Sequence, residues 1–241
     1  MKIISLVPSI TETLFDFGLS EMEIVGRTKF CIHPKEKVQL VEIIGGTKNI
    51  NIEKIKTINP DLIIANKEEN VKEQVEELMK YFPVWLTEID TLEDNYQFLI
   101  ELGKKINSEN TAEIWIDKLK QIFNFHKTNS RISYTYLIWK NPYMTIGNDT
   151  FIHSILQNFG FENTHQNKQR YPEIALEDMQ SSDIIFLSTE PFPFQQKHID
   201  EFQQFFPNKK IMLVDGEAFS WYGTHLAKCK KYYLEFLQET K

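Results

Sequence analysis

Residues 1–12, MKIISLVPSITE, place a short apolar run directly before a helix start, and they set the architecture expected for the rest of the chain. The run at residues 3–7 predicts a buried strand, which Pro8 ends. Ser9 and Glu12 have the spacing of a capping box, which predicts that a helix begins here. Because backbone N–H groups at a helix start can hold a polar or anionic group, this turn is a candidate ligand contact. An ordinary strand-to-helix turn explains the same residues.

Apolar runs alternate with helical patterns along the whole chain, which is typical of parallel sheets covered by helices. The predicted strands fall into two groups, residues 3–7, 24–25, 62–65 and 84–86, and residues 134–139, 184–188 and 211–214. Between the groups, residues 108–125 carry apolar side chains at the spacing of one helix face. The sequence therefore predicts an α/β protein with two lobes, residues 1–105 and 130–241, joined by one long helix within residues 106–129. A single connecting helix limits hinge movement, so a largely preformed cleft is expected between the lobes.

Length and charge exclude several classes of function. The chain has 241 residues, 41% of them hydrophobic, which is enough for one large domain or two small lobes. Its formal net charge of −7, without a continuous basic stripe, argues against nucleic acid as a partner. No apolar run reaches the roughly 18 to 20 residues that span a bilayer, so no membrane span is expected. Two cysteines, Cys31 and Cys229, do not make a disulfide framework.

Signatures of catalysis and of metal binding are weak. The sequence has no nucleophile elbow, no phosphate-binding loop and no dinucleotide fingerprint. None of the six histidines has a second histidine four residues away, and Cys31 with His33 is the nearest approach to a ligand pair. We therefore expect no catalytic residue, no cofactor and no protein-held metal ion. A metal is expected only inside a bound chelate.

Aromatic side chains make up 13% of the chain, and several of them follow strands. Such rings hold a flat macrocycle or aromatic chelate well, because each buries a large apolar area. Core packing is the alternative role for each of them. The candidates are Trp139, Tyr143, Tyr171, Phe192, Phe194, Trp221 and Tyr222. Trp221 and Tyr222 are the strongest, because turn residues flank them.

Six segments, in order, resemble the substrate-binding proteins of cobalamin and iron-siderophore importers, the helical-backbone metal receptors of class III. The segments are residues 1–12, VGRT at 25–28, GGT at 45–47, NPDLIIA at 59–65, GNDTFI at 147–152 and YPE at 171–173. The resemblance covers nearly the whole chain. It implies two Rossmann-like lobes joined by a long helix, which clamp a metal chelate without catalysis for an ABC-type permease. The expected ligand contacts are Pro8, Ser9, Cys31, Trp139, Tyr143, Tyr171, Trp221 and Tyr222.

The sequence departs from the pattern of this family at three positions. Cobalamin-binding relatives often carry a Trp where this chain has Asn66, although their cleft Trp is matched by Trp221. The family also docks onto arginines of the permease through one Glu on each lobe. An ungapped match places these acids on Lys72 and Gly223. The candidate replacements are Glu68, Glu69 and Glu190.

The ligand expected from the resemblance is a corrinoid such as cobalamin, a ferric siderophore or haem. The arginines of the chain are Arg27, Arg131 and Arg170, and this small number favours a neutral or cationic ligand. The first predicted strand leaves no room for a leader, so a cytoplasmic, monomeric chelate carrier without a permease is one alternative. A periplasmic protein is the expectation if a leader has been removed. An enzyme acting on a tetrapyrrole is a further alternative.

Overall fold

The structure is a computed structural model that describes residues 1–124 and 132–240. Phe125, at the end of the predicted connecting helix, and Arg131 lie outside the described residues. The strands are β1 Ile3–Ser5, β2 Ile24–Arg27, β3 Gly45–Gly46, β4 Asn49–Ile50, β5 Leu62–Asn66, β6 Val84–Thr87, β7 Ile132–Leu137, β8 Phe161–Asn163, β9 Ile184–Ser188 and β10 Lys210–Val214.

The helices lie between and after these strands, as the alternating pattern predicts. They are α1 Pro8–Asp16, α2 Lys35–Val38, α3 Ile52–Ile58, α4 Lys72–Met79, α5 Leu92–Lys105, α6 Glu109–Phe123, α7 Phe151–Asn158, α8 Gln196–Phe205, α9 Gly216–Ser220, α10 His225–Lys228 and α11 Lys230–Glu239. A 3₁₀ helix spans Glu177–Ser181.

The described strands form two parallel four-stranded sheets, and a small hairpin joins β3 to β4. The strand orders are β2-β1-β5-β6 and β8-β7-β9-β10. In each sheet the central strands are apolar and buried on both faces, as at Ile63 opposite Ile4 and Leu187 opposite Leu137. The predicted α/β class with two sheet-containing lobes is confirmed. Each sheet belongs to a separate core.

Residue contacts divide the chain into two units, and each unit contains one sheet. The first comprises Met1–Ile89, Glu93–Asp117 and Tyr222–Lys228, and the second comprises Asp90–Leu92, Lys118–Trp221 and the chain from Cys229 onward. Helix α6 covers the middle of the predicted connecting helix, and its last turn packs Phe123 against Phe159 and Tyr233 in the second unit. The predicted boundaries at residues 105 and 130, and the cleft between the lobes, stay predictions.

The helix start after β1 differs from the predicted capping box. Helix α1 begins at Pro8, its N-cap residue is Val7, and no side chain caps it. Ser9 is buried within the first turn, and Glu12 does not reach back to the helix start. Instead, the Glu12 carboxylate accepts hydrogen bonds from Lys228 Nζ at 2.8 Å and pairs with His225 Nδ1 at 2.7 Å. The capping-box interpretation is therefore wrong, because a buried carboxylate requires charged partners and finds them in the C-terminal segment.

Residues 222–228, which belong to the first unit, make further polar contacts within it. Gly223 N donates to Asn95 Oδ1 at 2.5 Å, and Thr224 N donates to Thr13 Oγ1 at 3.1 Å. Gly223 has φ of 82°, and a Cβ atom there would lie 2.0 Å from Thr13 Oγ1. A glutamate therefore does not fit at this position. Lys72, the other matched position, is an exposed residue at the start of α4.

Candidate functional site

The carboxyl ends of the parallel strands are the candidate ligand-binding region of each unit. Both sheets share one strand order, in which the chain adds its second strand on one side of the first and its third on the other. At such a switch point the following connections diverge and leave a crevice. It lies between β1 and β5 in the first unit and between β7 and β9 in the second. The residues that follow these four strands are therefore the candidate ligand contacts.

In the first unit, two predicted ligand contacts and one predicted docking acid lie close together. Ser9 and Tyr222 are both buried. Burial raises the pKa of the Tyr222 hydroxyl well above its ordinary value, and the charge of Glu69 adds to this rise. Side-chain hydrogen bonds with Ser9 and Thr87 act in the opposite sense. These residues form a buried polar cluster, so direct contact of Ser9 or Tyr222 with a ligand stays a prediction.

Two asparagines hold the loops that surround this cluster. Asn66, where cobalamin-binding relatives often carry Trp, is buried, and its side-chain oxygen accepts from the backbone N–H groups of Glu68 and Glu69. The side chain of Asn70 accepts from Asn66 N at 2.9 Å and donates to the carbonyls of Leu6 and Thr47, both at 3.2 Å. Asn70 therefore ties the ends of β1 and β5 to the β3–β4 hairpin.

Replacing Asn70 by alanine is expected to lower the free energy of unfolding by about 2 kcal/mol, because three buried backbone groups lose their partner. The measurement is urea denaturation followed by circular dichroism. Asn49→Ala is the matched control, since Asn49 is exposed and is expected to change stability by less than about 0.5 kcal/mol. Equal stability of the two variants would show that Asn70 does not hold these loops.

Cys31, a predicted ligand contact, is packed inside the loop after β2, and its contact with a ligand stays a prediction. Its side chain is buried, and its Sγ lies 3.0 Å from Thr11 Oγ1 and 3.3 Å from Thr28 Oγ1. Burial raises the pKa of this thiol. The Arg27 guanidinium fixes the loop from inside by donating to the carbonyls of Val38 and Cys31. Cys31 therefore stabilises the loop and directs its thiol away from solvent.

Phe30 and Ile32, on either side of Cys31, are the residues that this loop exposes. Their side chains are 50% and 48% exposed. The Phe30 ring lies over the backbone of Gly46, where an added Cβ would approach it to 3.2 Å, and Lys29 Nζ lies 5.1 Å from its centroid. A large ring held at the carboxyl end of β2 is a candidate ligand contact that sequence reasoning missed. The available signal was an aromatic residue in the loop between a strand and Pro34.

In the second unit, the structure brings two of the predicted aromatic residues together at the switch point. Trp139 follows β7, is 40% exposed, and packs edge-on against Phe192, which follows β9, with ring centroids 5.7 Å apart. The two segments are joined by a hydrogen bond from Phe192 N to Ile138 O at 3.2 Å. Trp139 and Phe192 therefore form an aromatic surface at the carboxyl edge of this sheet.

The other predicted rings of this unit are more enclosed. Tyr143 packs on Phe202 with ring centroids 5.4 Å apart, at the edge of the hydrophobic core. Phe194 is buried in the same core, so it packs there and is not available to a ligand. Tyr171 is half-buried and follows Arg170, whose guanidinium pairs with carboxylates. A role of Tyr143 and Tyr171 in ligand binding stays a prediction.

Glu190 and Trp221 also lie together in the second unit. Glu190 Oε1 accepts a hydrogen bond from Ser220 Oγ at 3.1 Å, and the Trp221 side chain hydrogen-bonds the same carboxylate. Burial raises the pKa of Glu190, although these two hydrogen bonds act against the rise. The carboxylate borders a depression of about 560 Å³. This depression is lined by Thr189, Glu190, Leu213, Val214, Asp215, Glu217 and Tyr232.

The three candidate docking acids differ in how they are held. Glu68 is half-buried, and its backbone carbonyl accepts from Lys48 Nζ at 2.7 Å. Glu69 belongs to the buried cluster around Tyr222, and Glu190 is bonded within its own unit. Their role in docking a permease stays a prediction.

A metal-binding cluster is not part of the described site. Within residues 1–124 and 132–240, no three His, Cys, Asp or Glu side chains are grouped so that they can hold a metal ion. Among the helices of that same part of the chain, none is both long enough and apolar enough to cross a bilayer.

Comparison with known proteins gives a consistent result for sequence and fold. The sequence model of a periplasmic binding protein family matches residues 3–210. The vitamin B12-binding protein of Vibrio campbellii (strain ATCC BAA-1116) is 25% identical over 200 residues, which cover 78% of this chain and 70% of the relative.

Solved structures show the same fold. The periplasmic vitamin B12 binding protein BtuF of Vibrio cholerae superposes with a TM-score of 0.82 at 20% identity, covering 98% of this chain and 96% of that chain. The periplasmic heme-binding protein RhuT from Roseiflexus sp. RS-1, in its apo form, gives a TM-score of 0.82 at 14% identity, covering 99% of this chain and 98% of that chain. At these identities the likeness shows the fold alone.

Proposed function

Since the chain belongs to the periplasmic binding protein family, we propose that it is a substrate-binding protein that holds a metal chelate without catalysing a reaction. The observation that carries this proposal is the contact between Trp139, which is 40% exposed, and the half-buried Phe192 at the switch point of the second unit. Aromatic faces at such a position suit a planar macrocycle. The named functions of the relatives, binding of vitamin B12 and of heme, agree with a ligand of this kind.

Within this class, a neutral or cationic corrinoid is the favoured ligand. Asp215, Glu217 and Glu190 line one depression, and Glu190 also hydrogen-bonds the Trp221 side chain. Carboxylates there repel the propionates of haem or an anionic siderophore. In the first unit, Phe30 adds an exposed ring next to the predicted contact Cys31. The contacts best supported are therefore Phe30 in the first unit and Trp139, Phe192 and Trp221 in the second, and the other contacts expected from the sequence stay predictions.

Delivery of the chelate to an ABC permease, from outside the cytoplasm, is part of the proposal and follows the role of the family. The permease-independent carrier in the cytoplasm stays an alternative prediction. A measurement of permease binding by the ligand-loaded chain distinguishes the two roles. An importer component binds the permease, and a carrier that works without one does not.

The test of chelate binding is thermal unfolding of the purified chain with cyanocobalamin, haemin or a neutral ferric hydroxamate. A chelate present at 100 times its dissociation constant stabilises the folded state by about 2.7 kcal/mol, which gives a measurable rise in melting temperature. We expect the largest rise with cyanocobalamin. The vitamin B12-binding protein of Vibrio cholerae is the positive control. An unchanged melting temperature with all three chelates, while the control responds, would contradict the proposal.

A further inference from the structure

We propose that Glu190 is a positioning residue, whose carboxylate holds the Trp221 indole in the orientation that receives a chelate. This inference rests on the proposed function, because it assigns a ligand contact to Trp221. It gives Glu190 a role within the second unit that differs from the permease docking expected from the sequence.

The backbone around Glu190 is tightly fixed against the start of α9. Ser188 Oγ donates to the Glu190 carbonyl at 2.6 Å, and Gly216 N donates to Thr189 Oγ1 at 3.0 Å. A Cβ atom on Gly216 would lie 2.3 Å from Glu190 Cγ and 2.7 Å from Ser188 Oγ. Only glycine at residue 216 permits this approach, so the Glu190 side chain is held directly over the first residue of the helix.

From this position the carboxylate reaches the opposite end of the same short helix. Glu190 Oε1 accepts from Ser220 Oγ at 3.1 Å, and Ser220 is the last residue of α9. Trp221, the C-cap residue of this helix, bonds the same carboxylate through its side chain. A hydrogen bond from an indole N–H to a carboxylate is charge-assisted and restricts the rotation of the ring. Glu190, in the loop after β9, therefore fixes the ring of Trp221, which follows α9.

The surroundings of the Glu190 carboxylate disfavour its ionised form, so this residue is a poor choice for stabilising the fold. Glu190 is half-buried, and Glu217 and Asp215 line the same depression. Burial and two neighbouring carboxylates both disfavour the ionised form. The hydrogen bonds from Ser220 and Trp221 offset part of this effect, which links the charge of Glu190 to the position of the Trp221 ring. An acid in such surroundings departs from what stability favours, and departures of this kind are typical of functional sites.

The experiment compares Glu190→Ala and Glu190→Gln with wild type by two measurements. The first is the indole N–H resonance of Trp221 in ¹⁵N–¹H spectra, which Trp221→Phe assigns among the four tryptophans. The second is the affinity for cyanocobalamin. We expect Glu190→Ala to move the Trp221 resonance and to weaken binding by about 10- to 100-fold, the usual effect of losing a hydrogen bond to a charged group. Glu190→Gln keeps an acceptor oxygen, so its affinity and its Trp221 resonance are expected to lie between those of wild type and Glu190→Ala.

Glu162→Ala is the matched control, since Glu162 is an exposed acid on the edge strand β8 of the same sheet. It is expected to leave both measurements unchanged. An unmoved Trp221 resonance in both Glu190 variants, or unchanged affinity in Glu190→Ala, overturns the inference. Should the wild-type chain bind no chelate at all, the proposed function fails, and the resonance of Trp221 still decides whether Glu190 holds the ring.

Discussion

Replacing Glu12 by alanine is expected to lower the free energy of unfolding by about 3 kcal/mol. Glu12 is 3% exposed, and its carboxylate pairs with His225 and Lys228 across the first unit. Breaking a buried ion pair usually costs about 3 to 5 kcal/mol, because the remaining charge is left without compensation. The lower end applies here, since Lys228 keeps a second carboxylate partner in Asp16, 2.6 Å away. Urea denaturation at pH 7 measures the difference.

The control for this prediction is Glu21→Ala, which removes an exposed acid and is expected to change stability by less than about 0.5 kcal/mol. Equal stability of the two variants would show that the Glu12 pairs do not hold the C-terminal segment in place.

The stability contributed by Glu12 is also expected to depend on pH. Burial alone would raise the pKa of Glu12, but the hydrogen bonds and charges of His225 and Lys228 together hold it below its ordinary value of 4.5. A carboxyl whose pKa is lowered in the folded state stabilises that state above its unfolded pKa and loses this effect as the pH falls through its folded pKa. The stability difference between wild type and Glu12→Gln should therefore shrink below pH 4.5. A difference that stays constant down to pH 3 would contradict the assignment.

Replacing Trp139 and Trp221 together by alanine is expected to weaken chelate binding by roughly 10²- to 10⁴-fold. Each ring is proposed as a ligand contact, and the loss of one buried aromatic side chain typically costs about 1 to 3 kcal/mol of binding. Trp139 is 40% exposed and Trp221 is half-buried, so the fold should persist. The affinity for cyanocobalamin is measured by equilibrium titration, and circular dichroism reports the fold.

Trp115→Phe is the control for this pair. Trp115 is half-buried, and its indole donates to Asp16 O at 3.4 Å within the first unit, away from the strand ends. It is expected to leave affinity unchanged. Wild-type affinity in the double variant would place the ligand elsewhere.

The architecture could be predicted because its signals are local. All seven predicted strands are present, since each combines an apolar run with a flanking turn residue. Strand β8 was missed because it has only three residues, Phe161–Asn163, and lies at the edge of its sheet. Such a strand gives too short a run for its alternation to be recognised.

The details of the site could not be predicted because they depend on distant partners or on loop geometry. Glu12 pairs with His225, 213 positions away, so the spacing from Ser9 suggested a local cap instead. Cys31 and Phe30 are neighbours in a loop, where no periodicity indicates which side chain is buried. The bond between Glu190 and Ser220 joins residues 30 positions apart, through a contact that Gly216 permits.

Calorimetric titration of the wild-type chain with cyanocobalamin, haemin and a neutral ferric hydroxamate tests chelate binding most directly. The proposed function predicts saturable binding of at least one chelate, with one molecule bound per chain and the highest affinity for cyanocobalamin. The absence of saturable binding for all three, in a folded sample and beside a Vibrio cholerae vitamin B12-binding protein that does bind, would contradict it.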